Sequence, residues 1–395
     1  MLRFTTSGES HGKGLITIIE GLPSGLQVDE EYINRELARR QKGYGRGGRM
    51  QIETDEIEIF AGVRNGKTLG SPISFLISNQ DYENWQDIMN SGTCTRIDER
   101  VLTRPRPGHA DLPGAMKYHH RDMRNVLERA SARETASRVA AGAFFKLFLK
   151  QFDILIYSYV RSIGSVNIGT VGLEQDKLEE FCARVEDSPL RCPDKESESK
   201  MIKLIEQAKK EGESLGGSFE VGAIGVYPGL GSHINWEYKL DGQIAAALMS
   251  IPAIKAVEIG DGIANAAEFG SHVHDQIYYQ EEQGLYRSSN RAGGIEGGIS
   301  NGEAVWARAY MKPIPTLYKP LISVNTENWQ EEKAQVERSD VCAVPAAAVV
   351  GEAMLVYVLA RAFREQFGGA SMEQVEQAYS SYREYLDRVW QWKKI

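Results

Sequence analysis

Residues Leu127–Phe152 read LERASARETASRVAAGAFFKLFLKQF. The spacing predicts one long helix with two different ends. Arg129 and Arg133 lie one helical turn apart, so both guanidiniums leave the same side. Ala130, Ser131, Ala132 and Ala136 are small and let another body approach the backbone. Further along, Val139, Ala140, Ala143, Phe144, Leu147 and Phe148 follow the i, i+3, i+4 spacing of a buried face. One end is suited to meet anions and the other to anchor in a core. The two arginines are also compatible with solvation, or with pairing to Glu128 and Glu134, as surface i, i+4 charges often are.

A second apolar stretch, Val341–Ala360 (VCAVPAAAVVGEAMLVYVLA), is about long enough to span a bilayer. Glu352 near its middle, Pro345 near its start and its alanines favour instead a helix apolar on nearly all sides, held inside a large protein. At 395 residues the chain can bury such a core in one large domain or two. Its net charge of −8 excludes a molecule that is basic as a whole, so an anion-binding surface must be local. Cys94, Cys182, Cys192 and Cys342 show neither a C-x-x-C pair nor a disulfide framework. The N-terminus, MLRFTTSGESHGKG, lacks the apolar run of a signal peptide, and a reducing cytoplasm is the expected location.

From the N-terminus, Gly14–Gly21 is a β-rich run followed by a Pro23-Ser24-Gly25 turn, and Asp29 caps a helix through about Gln41. Strand-like Glu56–Phe60 and Ser71–Ile77 flank an Asn65-Gly66 hairpin signal. Leu178–Val185 and Met201–Ala208 are two amphipathic helices, read as an exposed hairpin at about 173–212 with a charged, exposed linker. From Ser218, SFEVGAIGVYPGLG resembles LITIIEGLPSGLQ, residues 15–27, and a helix follows each. This reads either as two related α+β halves or as two ordinary strand–turn–helix units. Ser371 and Gln374 form a capping box for the last helix.

Four patches combine small residues, arginines and titratable groups. Gly8-Glu9-Ser10-His11-Gly12 holds a histidine between glycines, with no apolar face to pack on. Arg104–Asp111 offers His109 beside Arg106: a histidine among arginines can protonate a departing phosphate while the guanidiniums hold it. The competing reading is a turn in which His109 bonds Asp111. QKGYGRGGRMQ, with Arg39, Arg40, Lys42, Arg46 and Arg49 around its glycines, suits bidentate grip on phosphate or carboxylate. An RNA-binding loop is disfavoured because Tyr44 is the one aromatic available for stacking. The fourth patch joins Arg287–Asn301, Lys312–Thr316 and Glu337–Asp340; it has no GxGxxG or Walker spacing. No metal set is seen, since His119-His120 diverge and His272-x-His274 lacks a third ligand.

Gly8–Gly12, Arg106–Asp111 (RPGHAD), Arg129–Thr135 (RASARET), Gly297–Gly302 (GGISNG), Lys312–Thr316 and Glu337–Asp340 resemble, in order and across nearly the whole chain, the signature stretches of the chorismate synthase family. The resemblance implies an α+β fold in which a central helical layer lies between antiparallel sheets, one domain over 1–395, and a homotetramer. It also implies a cytoplasmic lyase with no nucleic-acid or membrane partner. The implied reaction converts 5-enolpyruvylshikimate-3-phosphate to chorismate, losing phosphate and a ring hydrogen, with reduced FMN required although there is no net redox change. The flavin is reduced either by an external source such as NADPH or on the protein itself. By the family pattern Arg40, Arg46, Arg49, Arg106, Ser131, Arg133 and Arg338 hold substrate. Arg129, Ala130, Ser131, Ala132, Pro252, Ala253, Gly297, Lys312, Pro313, Ile314, Pro315, Thr316 and Arg338 contact flavin. His109 is then the acid for the departing phosphate, His11 acts near flavin N1, and Asp340 takes the N5 proton. Pro252 departs from the family's usual polar residue. Two alternatives predict different behaviour: an anion- or RNA-binding protein with steep salt dependence and no need of His109, and an NADPH-dependent flavin reductase.

Overall fold

The computed structural model describes residues 1–46, 54–169, 171, 177–337 and 339–393. Strands β1 (Arg3–Ser7), β2 (Gly14–Glu20), β3 (Glu58–Ala61) and β4 (Ile73–Ser78) form an antiparallel sheet ordered β1-β2-β4-β3. Asn65 and Gly66 turn the chain with φ of 50° and 68°, the left-handed conformation that Asn and Gly tolerate in a tight hairpin. Helix α1 (Glu30–Gln41) starts where expected, with the Asp29 side chain accepting from the Tyr32 N–H at 2.8 Å.

The long helix expected over Leu127–Phe152 is interrupted. Helix α2 (Asp111–Tyr118) is followed by α3 (Arg124–Ala130) and α4 (Thr135–Lys150), with a short 3-10 turn between the last two. Ser131 stands at the break with extended backbone, and its side chain accepts from the Arg133 N–H. This local cap ends one helix and starts the next, as serine readily does. Arg129 and Arg133 therefore do not share a face. Arg129 is exposed and donates to Thr6 and to the Gly8 carbonyl, whereas Arg133 is buried. Neither pairs with Glu128 or Glu134: Glu128 binds His11 and Arg124, and Glu134 binds Arg138.

The second sheet comprises β5 (Leu155–Ile163), β6 (Val166–Asn167), β7 (Gly217–Ile224), β8 (Ile254–Ile259) and β9 (Val305–Met311), ordered β8-β9-β7-β5-β6 and antiparallel throughout. The chain also forms α5 (Leu178–Asp187), α6 (Lys195–Glu211), α7 (Leu240–Met249), α8 (Val344–Phe367) and α9 (Met372–Trp390). Helix α4 packs on β1 and β2, α8 packs on β5 and β7, and the two helices pack on each other. The crossing is close because both helices carry small residues. A Cβ at Gly142 would lie 2.5 Å from Ala353 Cβ, closer than real atoms approach, and Gly351 likewise lets α8 lie close on β7, where a Cβ would be 2.5 Å from a Phe219 ring carbon. Phe144, Phe145 and Phe148 fill the space around the crossing and are fully buried, each contributing about 1.5–3 kcal/mol. Helix α8 has the length and hydropathy to cross a membrane, yet nearly all of it is covered by the rest of the protein.

Glu352 sits inside this packing. Its carboxylate meets Arg39, Lys146, Arg191 and Ser158, while Glu36 and Glu186 complete the partners of the three cations. The α5–α6 hairpin is also less peripheral than expected. Phe181 meets Tyr157 and Tyr159 edge-on, and Ser188, Leu190, Arg191 and Cys192 in the linker are buried. The linker turns inward because Arg191 finds its acids there. At the C-terminal end, Ser371 accepts from the Gln374 N–H, and Gln374 reaches back to the Ala370 N–H.

Candidate active site

A cavity of about 480 Å³ opens where α1, α3, α4 and α8 meet the end of β9. Its size falls in the range of small-molecule sites, roughly 300–1,000 Å³. Among the described residues five cations line it: Arg40 from α1, Arg46 just beyond, Arg106, Arg133 and Lys312. Leu127, Ile251, Met311, Ala343, Ala346, Ala347 and Val350 add apolar wall to the same cavity. The alanines are the first turns of α8, so the small residues that let α8 pack closely also leave room for a flat ligand.

The cations are held from behind. Asp55, fully buried, takes an N–H from Arg40 at 3.0 Å and another from Arg133. Burial alone would raise the Asp55 carboxyl, but the two guanidiniums outweigh it and hold it below its ordinary value. Asn79 Oδ1 accepts from Arg133 Nε at 2.8 Å. One carboxylate is too little for this company: burial, together with Arg133 and Arg46 nearby, pulls the Arg40 guanidinium down to about 10 against the opposing effect of Asp55. Arg46 pairs with Asp340 at 3.0 Å. Among the described residues, the buried Nε atoms of Arg40 and Arg46 have no hydrogen-bond partner. Two unmet donors and an excess of positive charge describe a site shaped for anions.

Arg106 is fixed on the rim that it shares with His109. Its backbone N–H, Nε and Nη2 donate to Asp111 at 3.1, 2.8 and 3.0 Å, and its Nη1 donates to Thr316 Oγ1 at 2.8 Å. His109 lines the cavity beside it, with Nδ1 2.6 Å from Asp111 Oδ1. Both readings of His109 thus meet in one geometry, since the turn bond exists and the ring still borders the cavity. Lys312 Nζ donates to the Gly108 carbonyl and ties this rim to the end of β9. Ala253, in the wall, has φ of 68°, a conformation that costs a non-glycine residue about 1–2 kcal/mol. Its carbonyl accepts from the Lys312 N–H at 3.0 Å.

Of the residues singled out in the sequence, Arg40, Arg46, Arg106, His109, Ala130, Ser131, Ala132, Arg133, Pro252, Ala253, Lys312, Ile314, Pro315, Thr316 and Asp340 border the cavity. Arg129, Pro313 and Gly297 do not. Gly297 turns a small hairpin between Ile295-Glu296 and Ile299-Ser300. Arg49 and Arg338 lie outside the described residues. His11 stands just behind the wall: Ser10 Oγ donates to Ser131 Oγ at 3.0 Å, and His11 Nδ1 is 2.9 Å from both oxygens of Glu128. The His11 ring stacks on Trp85 at 3.9 Å between centroids. Asp55, Asn79 and Trp85 were not singled out by sequence reasoning, and Glu128 entered there only as a candidate partner of Arg129 and Arg133. Arg133 lies 78 residues from Asp55 and 54 from Asn79, and His11 lies 117 from Glu128, so local spacing does not show these contacts.

Residues 2–363 match the family model described as chorismate synthase. The chorismate synthase of Syntrophomonas wolfei is 65% identical over 395 residues, covering 100% of both chains. That of Desulforamulus reducens is 56% identical, covering 98% of this chain and 100% of its own, and that of Aquifex aeolicus is 54% identical, covering 96% and 97%. A solved crystal structure of chorismate synthase superposes with a TM-score of 0.80 at 45% identity, covering 98% of each chain. Matches this long and this similar, over a chain in which the Arg106–Asp111, Arg129–Thr135 and Lys312–Thr316 motifs border one cationic cavity, place the protein in the chorismate synthase family.

Proposed function

We propose that the cavity binds reduced FMN together with 5-enolpyruvylshikimate-3-phosphate. As a chorismate synthase the protein is a phosphate-eliminating carbon–oxygen lyase that forms chorismate on the shikimate route to aromatic amino acids. The observation that carries the ligand reading is the cation excess. Among the described residues five cations line the cavity, and three carboxylates, Asp55, Asp111 and Asp340, pair with them. The substrate brings a phosphate and two carboxylates, and FMN another phosphate, so the donor set and the apolar wall fit these ligands.

In this reading Arg40, Arg46, Arg106 and Arg133 hold the substrate anions with charge-assisted hydrogen bonds. Ala130, Ser131, Ala132, Pro252, Ala253 and the Lys312–Thr316 strip border the flavin. Reduced FMN, when bound, supplies the transient electron that weakens the allylic carbon–oxygen bond, with no net redox change. His109, on the wall beside Arg106, gives the departing phosphate its proton. His11, one residue from the Ser10–Ser131 contact, holds a proton on the flavin side. Asp340 is the base that removes the proton blocking transfer of the ring hydrogen. NADPH serves as an outside source of reducing equivalents. The same reading takes the fold as a helical layer between the sheets with two related halves, and the working assembly as a cytoplasmic homotetramer acting on a small molecule, with no nucleic acid or membrane.

An anaerobic assay with reduced FMN tests it, following phosphate and chorismate release in equal amounts. His109→Ala and Asp340→Asn are expected to lose about two to four orders of magnitude in turnover. Ligand binding should stay within about tenfold, roughly 1.4 kcal/mol. Near-normal turnover in either variant removes that residue from its role.

A further inference from the structure

Each of the two histidines is the end of a buried chain of the same composition. Arg106 donates to Asp111, which faces His109 Nδ1; Arg124 donates to Glu128, which faces His11 Nδ1. We propose that Asp111 and Glu128 are positioning residues that hold His109 and His11 with the proton on Nδ1, leaving Nε2 in both rings as the atom that exchanges protons. The proposal rests on the reading of the two histidines as proton carriers and adds how their rings are set.

The argument is one of donors and acceptors. Asp111 is 2% exposed; burial would raise its carboxyl, but hydrogen bonds from His109 and Arg106 outweigh that and hold it well below the usual carboxylate range. Glu128 is equally buried and is held below its ordinary value in the same way by His11 and Arg124. An ionised carboxylate only accepts, so the hydrogen in each contact belongs to the imidazole. At 2.6 Å for His109 and 2.9 Å for His11, Nδ1 must then carry it. A neutral ring in this state has its lone pair on Nε2, and a cationic ring has there the proton it can give up.

The two sites reach this arrangement by different routes. Asp111 is two residues from His109, at the start of α2, whereas Glu128 and His11 are 117 residues apart. A contact across that separation is not a by-product of a local turn. Glu128 also accepts the His11 backbone N–H at 2.8 Å, and Trp85 covers one face of the ring, so the imidazole is fixed in rotation as well as tautomer. Other charges nearby are Arg106 and Lys312 beside His109; Arg124, Arg100 and Glu9 are near His11, with Glu337 behind Arg124. Arg106 Nη2 is 3.0 Å from His109 Nδ1 and 3.3 Å from Nε2. With Nδ1 protonated, only Nε2 has a lone pair to receive it.

Nitrogen-15 NMR of the full-length protein with labelled histidines reads the tautomer directly. At a pH where both rings are neutral, His109 and His11, assigned by loss of their signals in His→Ala variants, should carry hydrogen on Nδ1. A wild-type Nε2–H form at either ring overturns the proposal there without any variant. Asp111→Asn and Glu128→Gln can donate to Nδ1 and should admit the other tautomer. Turnover should fall about 100-fold, as for orienting partners of other histidines, while KM stays within about tenfold. The alkaline limb of the pH–rate profile, where a proton-giving ring has lost its proton, should move to lower pH, because an anion that favoured the imidazolium is gone. Asp111→Glu should restore part of the rate. If His109→Ala is inactive but Asp111→Asn has wild-type rate and profile, the positioning role fails and the acid role stands. If His109→Ala is itself active, the functional reading fails first.

Discussion

Arg39 and Arg40 are neighbours on α1 and enter opposite kinds of charge cluster. Arg39 joins Lys146 and Arg191 around Glu36, Glu186 and Glu352, three cations and three acids linked into one network. Arg40 joins the cavity cations, which outnumber their acids. The balanced cluster raises its cations: burial opposes the charge on Lys146 and Arg39, but the surrounding carboxylates win and push both above their ordinary values. In the cavity the balance reverses, and Arg40 is pulled down to about 10. A buried network that closes on itself holds helices together; one left short of anions waits for a ligand. The contrast sorts two adjacent arginines that no local pattern separates.

The largest expected effect comes from opening the closed cluster. Glu352→Gln leaves three buried cations short of an acid and should destabilise the protein by about 3–5 kcal/mol, read from urea unfolding. A loss below about 1 kcal/mol would mean that the network is not what holds α1, α4 and α8 in register. Next, Arg40→Met should cost about 2–3 kcal/mol in kcat/KM, roughly 30- to 150-fold, through a lost charge-assisted bond to substrate. Its thermal midpoint should stay level or rise, because repulsion is relieved and Asp55 keeps Arg133. A clear fall in stability would assign Arg40 to the structural class.

The pH dependence of stability sharpens the same contrast. Burial raises the Glu352 carboxyl, but Arg39, Lys146 and Arg191 hold it well below 4.5. Its contribution is therefore complete above about pH 4.5 and lost as pH falls towards its folded value. Lys146 lies above 10.5 in the folded protein, so its contribution is complete below that pH and lost as pH rises through the folded value. In Glu352→Gln, the part of the acid-side slope that comes from this carboxyl should disappear. The smallest effect should come from filling the open cluster. Inorganic phosphate at about ten times its dissociation constant stabilises by about 1.4 kcal/mol, a rise of about 2 °C in a chain this long. The rise should vanish in Arg40→Met and persist in wild type at moderate salt. Equal shifts in both proteins would place the phosphate elsewhere.

The sequence by itself determined what depends on neighbours a few residues away. The Asp29 and Ser371 caps, the Asn65-Gly66 turn and the apolar character of α4 and α8 all follow from local spacing and backbone preference. The motifs RPGHAD and RASARET identified the family because they lie in order along the chain. Tertiary structure decided what depends on charges meeting across it. It split the helix at Ser131, turned Arg129 outward and Arg133 inward, and gave Arg133 and Arg40 a shared acid in Asp55, 78 residues from the former and 15 from the latter. It also set Glu128 against His11 and drew the 188–192 linker into the core beside Glu352. Sequence spacing cannot rank such pairs. Ion pairing falls off with distance and strengthens with burial, and both are fixed only when the helices have packed.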